Sequence, residues 1–127
     1  MKKIILIALL LFPTLILSDD LFDSLLLNLG SPLSEIGFDQ KTTLSSDKVA
    51  INYYEKGNAP ETLVFIHGYS CNSNYWWAQL NYFSNYYKVI SVDLGGHGKS
   101  GQNREDYNMT QFGQDVVDVM NDASIDQ

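Results

Sequence analysis

The chain has 127 residues, of which 45% are hydrophobic and 18% charged, and its net charge is −7 at neutral pH. This composition indicates one globular domain at most, and the acidic balance argues against nucleic acid and anionic membrane surfaces as partners. Cys71 is the one cysteine in the sequence, which excludes an internal disulfide.

The first 18 residues have the pattern of an export signal. Lys2 and Lys3 precede an apolar stretch over residues 4–17, and Ser18 leads into two aspartates. A positive start, a short apolar core and a small residue are typical of a secretory signal peptide. We therefore expect residues 1–18 to be a signal peptide and the protein to be periplasmic or secreted. The alternative is an uncleaved membrane anchor, although about 20 apolar residues are needed to span a bilayer comfortably.

A lead-in segment and a hairpin are predicted next. Residues 19–35 carry leucines at helical spacing and end in a glycine and a proline, so we interpret them as a short amphipathic helix or lead-in. From residue 36 to residue 127 we predict a single domain. It begins with two β-prone runs, residues 36–44 and 49–54, which are separated by polar turn residues and therefore predict a hairpin.

A strand–helix–strand unit follows the hairpin. Residues 62–66 are continuously apolar, as is typical of a strand buried on both faces of a parallel sheet. Ser73 is the predicted cap of a helix whose buried face carries Trp76, Leu80 and Phe83. Residues 87–92 then form a second apolar strand that ends at Asp93.

The last predicted element is an amphipathic helix. Asn108 and Gln111 have the spacing of a capping box. Phe112, Val116, Val119 and Met120 form its apolar stripe, while Asp115, Asp118 and Asp122 are expected to face water. By alternation, a further parallel strand is expected after this helix.

Two loops at the ends of the predicted parallel strands carry the functional signal. Ligands of open α/β sheets bind at this edge. In His67-Gly68-Tyr69, the glycine permits a sharp turn and a close approach to a ligand, so that the Tyr69 N–H points into the site. We interpret His67 as a residue that shapes this loop through backbone hydrogen bonds, without proton transfer.

The second loop is predicted to be architectural. Asp93, Gly96, Gly98 and Ser100 follow the second parallel strand, and the Asp93 carboxylate is expected to accept loop N–H groups.

Gly98-Lys99-Ser100 imitates the end of a phosphate-binding loop. However, the first glycine of that motif falls at Asp93, so we predict no nucleotide. The stretch over residues 98–102 also imitates a nucleophile elbow but lacks its last glycine. Catalysis by Cys71 and a metal site are disfavoured, because no regular spacing of ligands or adjacent base accompanies them.

Three motifs occur in order along the chain. They are His67-Gly68-Tyr69-Ser70-Cys71, Asp93-x-x-Gly96-x-Gly98-x-Ser100 and Met109-x-x-Phe112-Gly113-x-Asp115-Val116. Together they resemble the α/β-hydrolase superfamily, and most of all its esterase, lipase and epoxide-hydrolase-like branch. The likeness covers residues 36–126. It implies an α/β fold that is the amino-terminal portion of the hydrolase sheet, a hairpin plus a βαβα unit, incomplete and preceded by the signal peptide.

The resemblance also implies which parts of the site lie in this chain and which lie beyond it. It implies an oxyanion hole half-built by the Tyr69 N–H, with His67 and Gly68 supporting the loop. The family's nucleophile, acidic residue and catalytic histidine would all lie beyond Gln127, and neither His67 nor His97 matches that histidine. We therefore expect no catalytic residue in this chain, no cofactor, and a small-molecule substrate only in a full-length form.

The leading hypothesis is the amino-terminal part of an exported hydrolase of ester, lactone or similar acyl substrates, inactive by itself. The alternative is a secreted non-catalytic binding module with half of the hydrolase fold. In the family's strand order, residues 62–66 lie beside a fifth strand that the sequence does not contain. We therefore expect an open apolar edge there, and a chain that aggregates or folds poorly.

Overall fold

A computed structural model describes the backbone of residues 4–7 and the chain from residue 33 to residue 125. It contains five strands: β1 (Ile4–Ile7), β2 (Asp39–Leu44), β3 (Ala50–Lys56), β4 (Thr62–Ile66) and β5 (Lys88–Val92). Two α-helices, α1 (Trp77–Phe83) and α2 (Met109–Asp122), accompany them. Short 3₁₀ helices cover Leu33–Ile36 and Ser73–Trp76. Within these residues, no helix is long and apolar enough to cross a membrane.

The strands form one mixed sheet in the order β1-β4-β5-β3-β2. The hairpin of β2 and β3 is antiparallel and is confirmed, while β4 and β5 are parallel and start within a residue of their predicted positions. Successive side chains of a strand point to opposite faces. Accordingly, Leu63 and Phe65 pack with α1 on one face, and Val64 packs with α2 on the other. The predicted α/β class is therefore confirmed.

One expectation about the sheet is wrong. The outer edge of β4 was expected to be open, but the backbone of β1 pairs with it in parallel, with Ile4 opposite Thr62 and Ile7 opposite Phe65. The sequence pattern misled us because a short apolar run fits both a signal core and a buried strand. The rest of the predicted signal peptide and nearly all of the predicted lead-in helix lie outside the described residues, and both stay predictions. The strand expected after α2 also lies outside the described residues and stays a prediction.

The two helices differ from expectation at two positions. The first turn before α1 is capped by Asn72, whose side chain accepts the Asn74 N–H at 2.9 Å, rather than by Ser73, which is fully buried. The capping box of α2 is confirmed, since Asn108 and Gln111 bond each other's backbone N–H reciprocally. However, Asp115 does not face water: it is completely buried.

Candidate functional site

The site is built by the two loops that leave the carboxyl ends of β4 and β5. The β4 loop (residues 67–72) and the β5 loop (residues 93–104) lie side by side because their strands are parallel neighbours. His67 and His97 bring the loops into contact, with ring centroids 5.0 Å apart. The structure thus brings together the two motifs that the sequence singled out.

His67 joins the two loops through hydrogen bonds of its imidazole ring. Its Nε2 accepts the Leu94 N–H at 3.1 Å, and its Nδ1 lies 2.7 Å from the Gly68 carbonyl oxygen. Because Nε2 is the acceptor, Nδ1 carries the proton and donates it to that carbonyl. Burial lowers the pKa of His67 below its ordinary value, and the nearby His97 lowers it further, against the opposing effect of the Gly68 hydrogen bond. The ring is therefore neutral at physiological pH.

The β4 loop presents Tyr69 to solvent. The residue is 92% exposed, and its N–H donates no hydrogen bond to any residue between 33 and 125. A turn closes around it through the Cys71 N–H, which donates to the Gly68 carbonyl at 3.3 Å. The backbone donor that the sequence placed in the site is thus available to a ligand. Its role as an oxyanion donor stays a prediction.

Gly68 does not have a positive φ, and a Cβ added there would meet no atom within 4 Å. Instead, the positive φ falls on Ser70, at 57°. A left-handed conformation in a residue other than glycine stores strain of the kind found at functional sites. The open space around Gly68 remains compatible with the close approach of a ligand.

The β5 loop is fastened from inside by Asp93. This buried carboxylate accepts the Ser73 N–H at 2.7 Å, the Lys99 N–H at 3.0 Å and the Asn52 side-chain amide at 3.0 Å. Ser100 adds a bond to the Asp93 carbonyl and accepts the Asn52 N–H. The expected acceptance of loop N–H groups by Asp93 is confirmed, and the carboxylate also reaches β3 and the start of the helical segment.

Two glycines of this loop have conformations that a side chain would not tolerate. Gly96 and Gly98 have φ values of 80° and 53°. A Cβ on Gly96 would press on the Tyr107 ring, and one on Gly98 would collide with the Asp93 carboxylate. Both glycines of the motif are therefore required by the packing of the loop.

Sequence reasoning missed a buried ion pair beneath the same loop. Arg104 donates to both carboxylate oxygens of Asp115, at 3.1 and 2.6 Å, and Asp115 also accepts the Gly95 N–H at 3.0 Å. Arg104 additionally binds Asp47, in the β2–β3 turn, and lowers the pKa of that carboxyl to about 2. A signal was present in the sequence. Asp115 lies three residues after Phe112 and four before Val119, within the apolar stripe of α2.

An apolar cavity of about 440 Å³ opens between the two loops and α2. Its apolar lining comprises Ile66, Leu94, Met109, Phe112, Gly113 and Val116, and it is also lined by His67, Gly68, Tyr69 and His97. Among the described residues that line it, none is a serine, cysteine, aspartate or glutamate. The arrangement therefore provides an apolar chamber beside a backbone donor, with no serine, cysteine or carboxylate among the described residues of that lining.

A second, more polar cavity of about 770 Å³ adjoins the first and shares Tyr69, His97 and Phe112 with it. Gly96, Gly98, Ser70 and the free Cys71 also line this cavity. Within residues 4–7 and 33–125, no group of three or more His, Cys, Asp or Glu side chains could hold a metal ion. The described residues of this lining include no cluster of charged groups suited to a phosphate.

Comparison with known proteins decides the family. Residues 61–127, about half of the chain, match the family described as alpha/beta hydrolase fold. This chain belongs to the α/β-hydrolase family. Two curated relatives come from Acinetobacter baylyi. One is (E)-2-((N-methylformamido)methylene)succinate hydrolase, 39% identical over 72 residues, which are 57% of this chain and 27% of the relative. The other is 3-oxoadipate enol-lactonase 2, 35% identical over 71% of this chain and 34% of the relative.

Solved structures give the same result for the fold. The crystal structure of the Cif epoxide hydrolase from Acinetobacter nosocomialis superposes with a TM-score of 0.64 at 26% identity, covering 81% of this chain and 31% of that one. The chain therefore spans about a quarter to a third of the length of the hydrolases that it matches.

Proposed function

We propose that this chain contributes the amino-terminal part of an exported α/β-hydrolase that hydrolyses esters, lactones or similar acyl compounds through a covalent intermediate. The observation that carries this proposal is that Tyr69, whose N–H donates no hydrogen bond within residues 33–125, lines the apolar cavity. The functions of the two curated relatives, a succinate-derivative hydrolase and an enol-lactonase, support the substrate class.

The residues of this chain would bind and stabilise rather than attack. The Tyr69 N–H would donate to the oxygen that becomes negative when the acyl carbon is attacked, as one half of an oxyanion hole. The apolar lining at Ile66, Leu94 and Phe112 would hold the acyl chain and exclude water. His67 would keep the donor in place by joining its loop to the β5 loop.

The attacking group would come from further polypeptide that also contributes to the site. No serine, cysteine or carboxylate lies in the described lining of the apolar cavity, and a backbone donor by itself cannot form a covalent intermediate. We therefore propose that residues 1–127 alone are inactive. The test is hydrolysis of a short-chain aryl ester and a simple lactone by the purified chain, for which we expect no turnover above the uncatalysed rate.

The role of Tyr69 is tested in a polypeptide extended by the downstream coding sequence. Tyr69→Pro removes the backbone N–H, and its fixed φ suits the second position of a turn. The loss of one oxyanion donor lowers kcat by about 10²–10³-fold. Tyr69→Ala is the matched control, because it removes the exposed ring and keeps the N–H. Equal kcat values for the two variants would overturn the assignment.

A second candidate is a secreted binding module without catalysis. It is favoured by the absence of serine, cysteine and carboxylate side chains from the described lining of the apolar cavity. The sequence downstream of codon 127 separates the two functions. A strand followed by Gly-x-Ser-x-Gly supports the hydrolase, whereas unrelated sequence and binding of an apolar ligand without turnover support the module.

Export is proposed from residues 1–18, with an uncleaved anchor as the alternative. Mass spectrometry of the protein from culture fractions tests both. A mature terminus near Asp19 in the periplasm or medium supports cleavage, and the intact terminus in the membrane fraction supports the anchor.

A further inference from the structure

His97 lies at the corner of two consecutive turns of the β5 loop. Its N–H donates to the Leu94 carbonyl at 2.9 Å, and its own carbonyl accepts the Ser100 N–H at 2.9 Å. Gly96 and Gly98, the residues on either side of it, have the positive φ values that these two turns require. Because both turns are closed by hydrogen bonds, the backbone at His97 has little freedom, and its imidazole is presented from a fixed position.

The imidazole of His97 has one nitrogen without a partner among the described residues. Its Nδ1 lies 3.1 Å from the Gly95 carbonyl oxygen. A carbonyl only accepts hydrogen bonds, so Nδ1 carries the proton of the neutral ring and Nε2 keeps its lone pair. Within residues 33–125 no donor bonds this Nε2, and His97 is only half-buried. In His67 the same nitrogen already accepts the Leu94 N–H. His97 therefore offers an acceptor that His67 does not.

This acceptor lies where the two cavities meet. His97, Tyr69 and Phe112 line both of them. The ring of His97 meets those of Tyr69 and Phe112 edge to face, with centroids 6.3 and 5.9 Å away. Beyond this junction the first cavity is mainly apolar, whereas Ser70 and Gln102 add polar side chains to the second. A ligand that extends from one cavity into the other would pass His97.

We propose that His97 is a specificity-determining residue whose Nε2 accepts a hydrogen bond from an N–H or O–H group of the ligand. The apolar part of the ligand lies in the first cavity, and the part that carries the donor lies at the junction with the second. That the ligand is an acyl compound rests on the proposed function, in which the Tyr69 N–H binds the carbonyl oxygen. The favoured substrate is therefore an acyl compound with a hydroxyl or amide donor close to its reacting carbonyl, rather than a simple alkyl ester.

Binding of two matched amides to the full chain tests this role without hydrolysis. N-hexanoylethanolamine has an apolar chain and both N–H and O–H donors, and its N,O-dimethyl derivative has the same chain and no donor. One net hydrogen bond changes affinity by about two- to tenfold. We expect the first amide to bind the chain more tightly than the second by about that factor, as measured by isothermal titration calorimetry.

Two variants attribute the preference to Nε2. His97→Phe keeps a flat ring beside Phe112 and removes the lone pair, so the preference for the first amide should disappear. His97→Gln is the matched control, because its Oε1 can accept a hydrogen bond in place of Nε2 and should retain most of the preference. Urea denaturation establishes that both variants fold. The same preference in His97→Phe as in the original chain would overturn the proposal.

Nitrogen NMR of the unsubstituted chain gives a result that depends on no variant. The sequence contains two histidines, whose ring signals are assigned through their side-chain connectivities. We expect the His97 Nε2 to have the shift of an unprotonated nitrogen, and to move when the first amide is added but not when the second is. A protonated Nε2, or one that does not respond to the first amide, would contradict the assignment.

These outcomes separate the role of His97 from the proposed function. If the extended polypeptide cleaves no ester but the chain keeps its preference for the first amide, hydrolysis is wrong and the role of His97 stands. If esters are cleaved but the two amides bind equally, the role of His97 is wrong and hydrolysis stands. Failure of the chain to bind either amide also overturns the role of His97.

Discussion

The β4 loop and the β5 loop leave neighbouring strands at the same edge, yet they are held in different ways. The β5 loop is fastened by buried polar groups: Asp93 and Ser100 from within, and Asp115 from α2. The β4 loop is joined to it mainly by the imidazole of His67, and it exposes Tyr69 almost completely. The difference indicates that the β5 loop is a structural support and that the β4 loop presents backbone groups to a ligand. Changes in the β5 loop should therefore lower the free energy of unfolding, whereas changes in the β4 loop should alter it little.

The largest effect is expected from Asp115→Ala. This change leaves the buried Arg104 with Asp47 as its remaining partner, and it removes the acceptor of the Gly95 N–H. Breaking a buried ion pair from one side costs about 3–5 kcal/mol. We expect a loss of about 3 kcal/mol in the free energy of unfolding, measured by urea denaturation. Asp118→Ala, on the same helix, is the control. It removes a bond to the Ser46 N–H and should cost about 1 kcal/mol or less.

A matched pair of glycine substitutions compares the two loops directly. Gly98→Ala places a Cβ against the Asp93 carboxylate at a φ of 53°, whereas Gly68→Ala meets nothing. A left-handed conformation alone costs a residue with a Cβ about 1–2 kcal/mol. We expect Gly98→Ala to lower the free energy of unfolding by about 2 kcal/mol or more, and Gly68→Ala to change it by less than about 0.5 kcal/mol. Similar losses at the two positions would remove the distinction between the loops.

The smallest expected effect is the pH dependence of stability that comes from His67, which joins the two loops. The pKa of His67 is lowered in the folded state, so the unfolded state binds more protons between that pKa and the ordinary value near 6.5. Stability should therefore rise with pH through this window and stay level above it. The slope cannot exceed about 1.4 kcal/mol per pH unit for one group. Urea denaturation between pH 5.5 and 8 measures it.

His67→Gln should flatten that profile, because glutamine does not titrate. Asp47 contributes no slope in this range, since its pKa of about 2 in the folded state and its ordinary value near 3.8 both lie below it. If stability instead falls with rising pH in the wild type, the neutral assignment of His67 is wrong.

The sequence determined the elements because their signals are local. The apolar run of β4, the polar turn of the hairpin and the capping box of Asn108 and Gln111 each involve neighbouring residues, and all three are present in the structure. The positions of the two loops followed from the strands, since parallel strands end at one edge. The motifs of those loops also indicated the hydrolase family, which the comparisons bear out.

Only the tertiary structure decided which polar groups are buried together and what covers the outer strand. Asp115 pairs with Arg104 eleven residues away, Arg104 with Asp47 fifty-seven residues away, and β1 with β4 across more than fifty residues. Such partners are chosen by the packing of the whole sheet, because a buried charge or strand edge takes whichever complementary group the fold brings within reach. Local periodicity does not identify these partners. The position of Asp115 within the apolar stripe of α2 did indicate its burial, but neither its pairing with Arg104 nor the pairing of β1 with β4 could be predicted from the pattern.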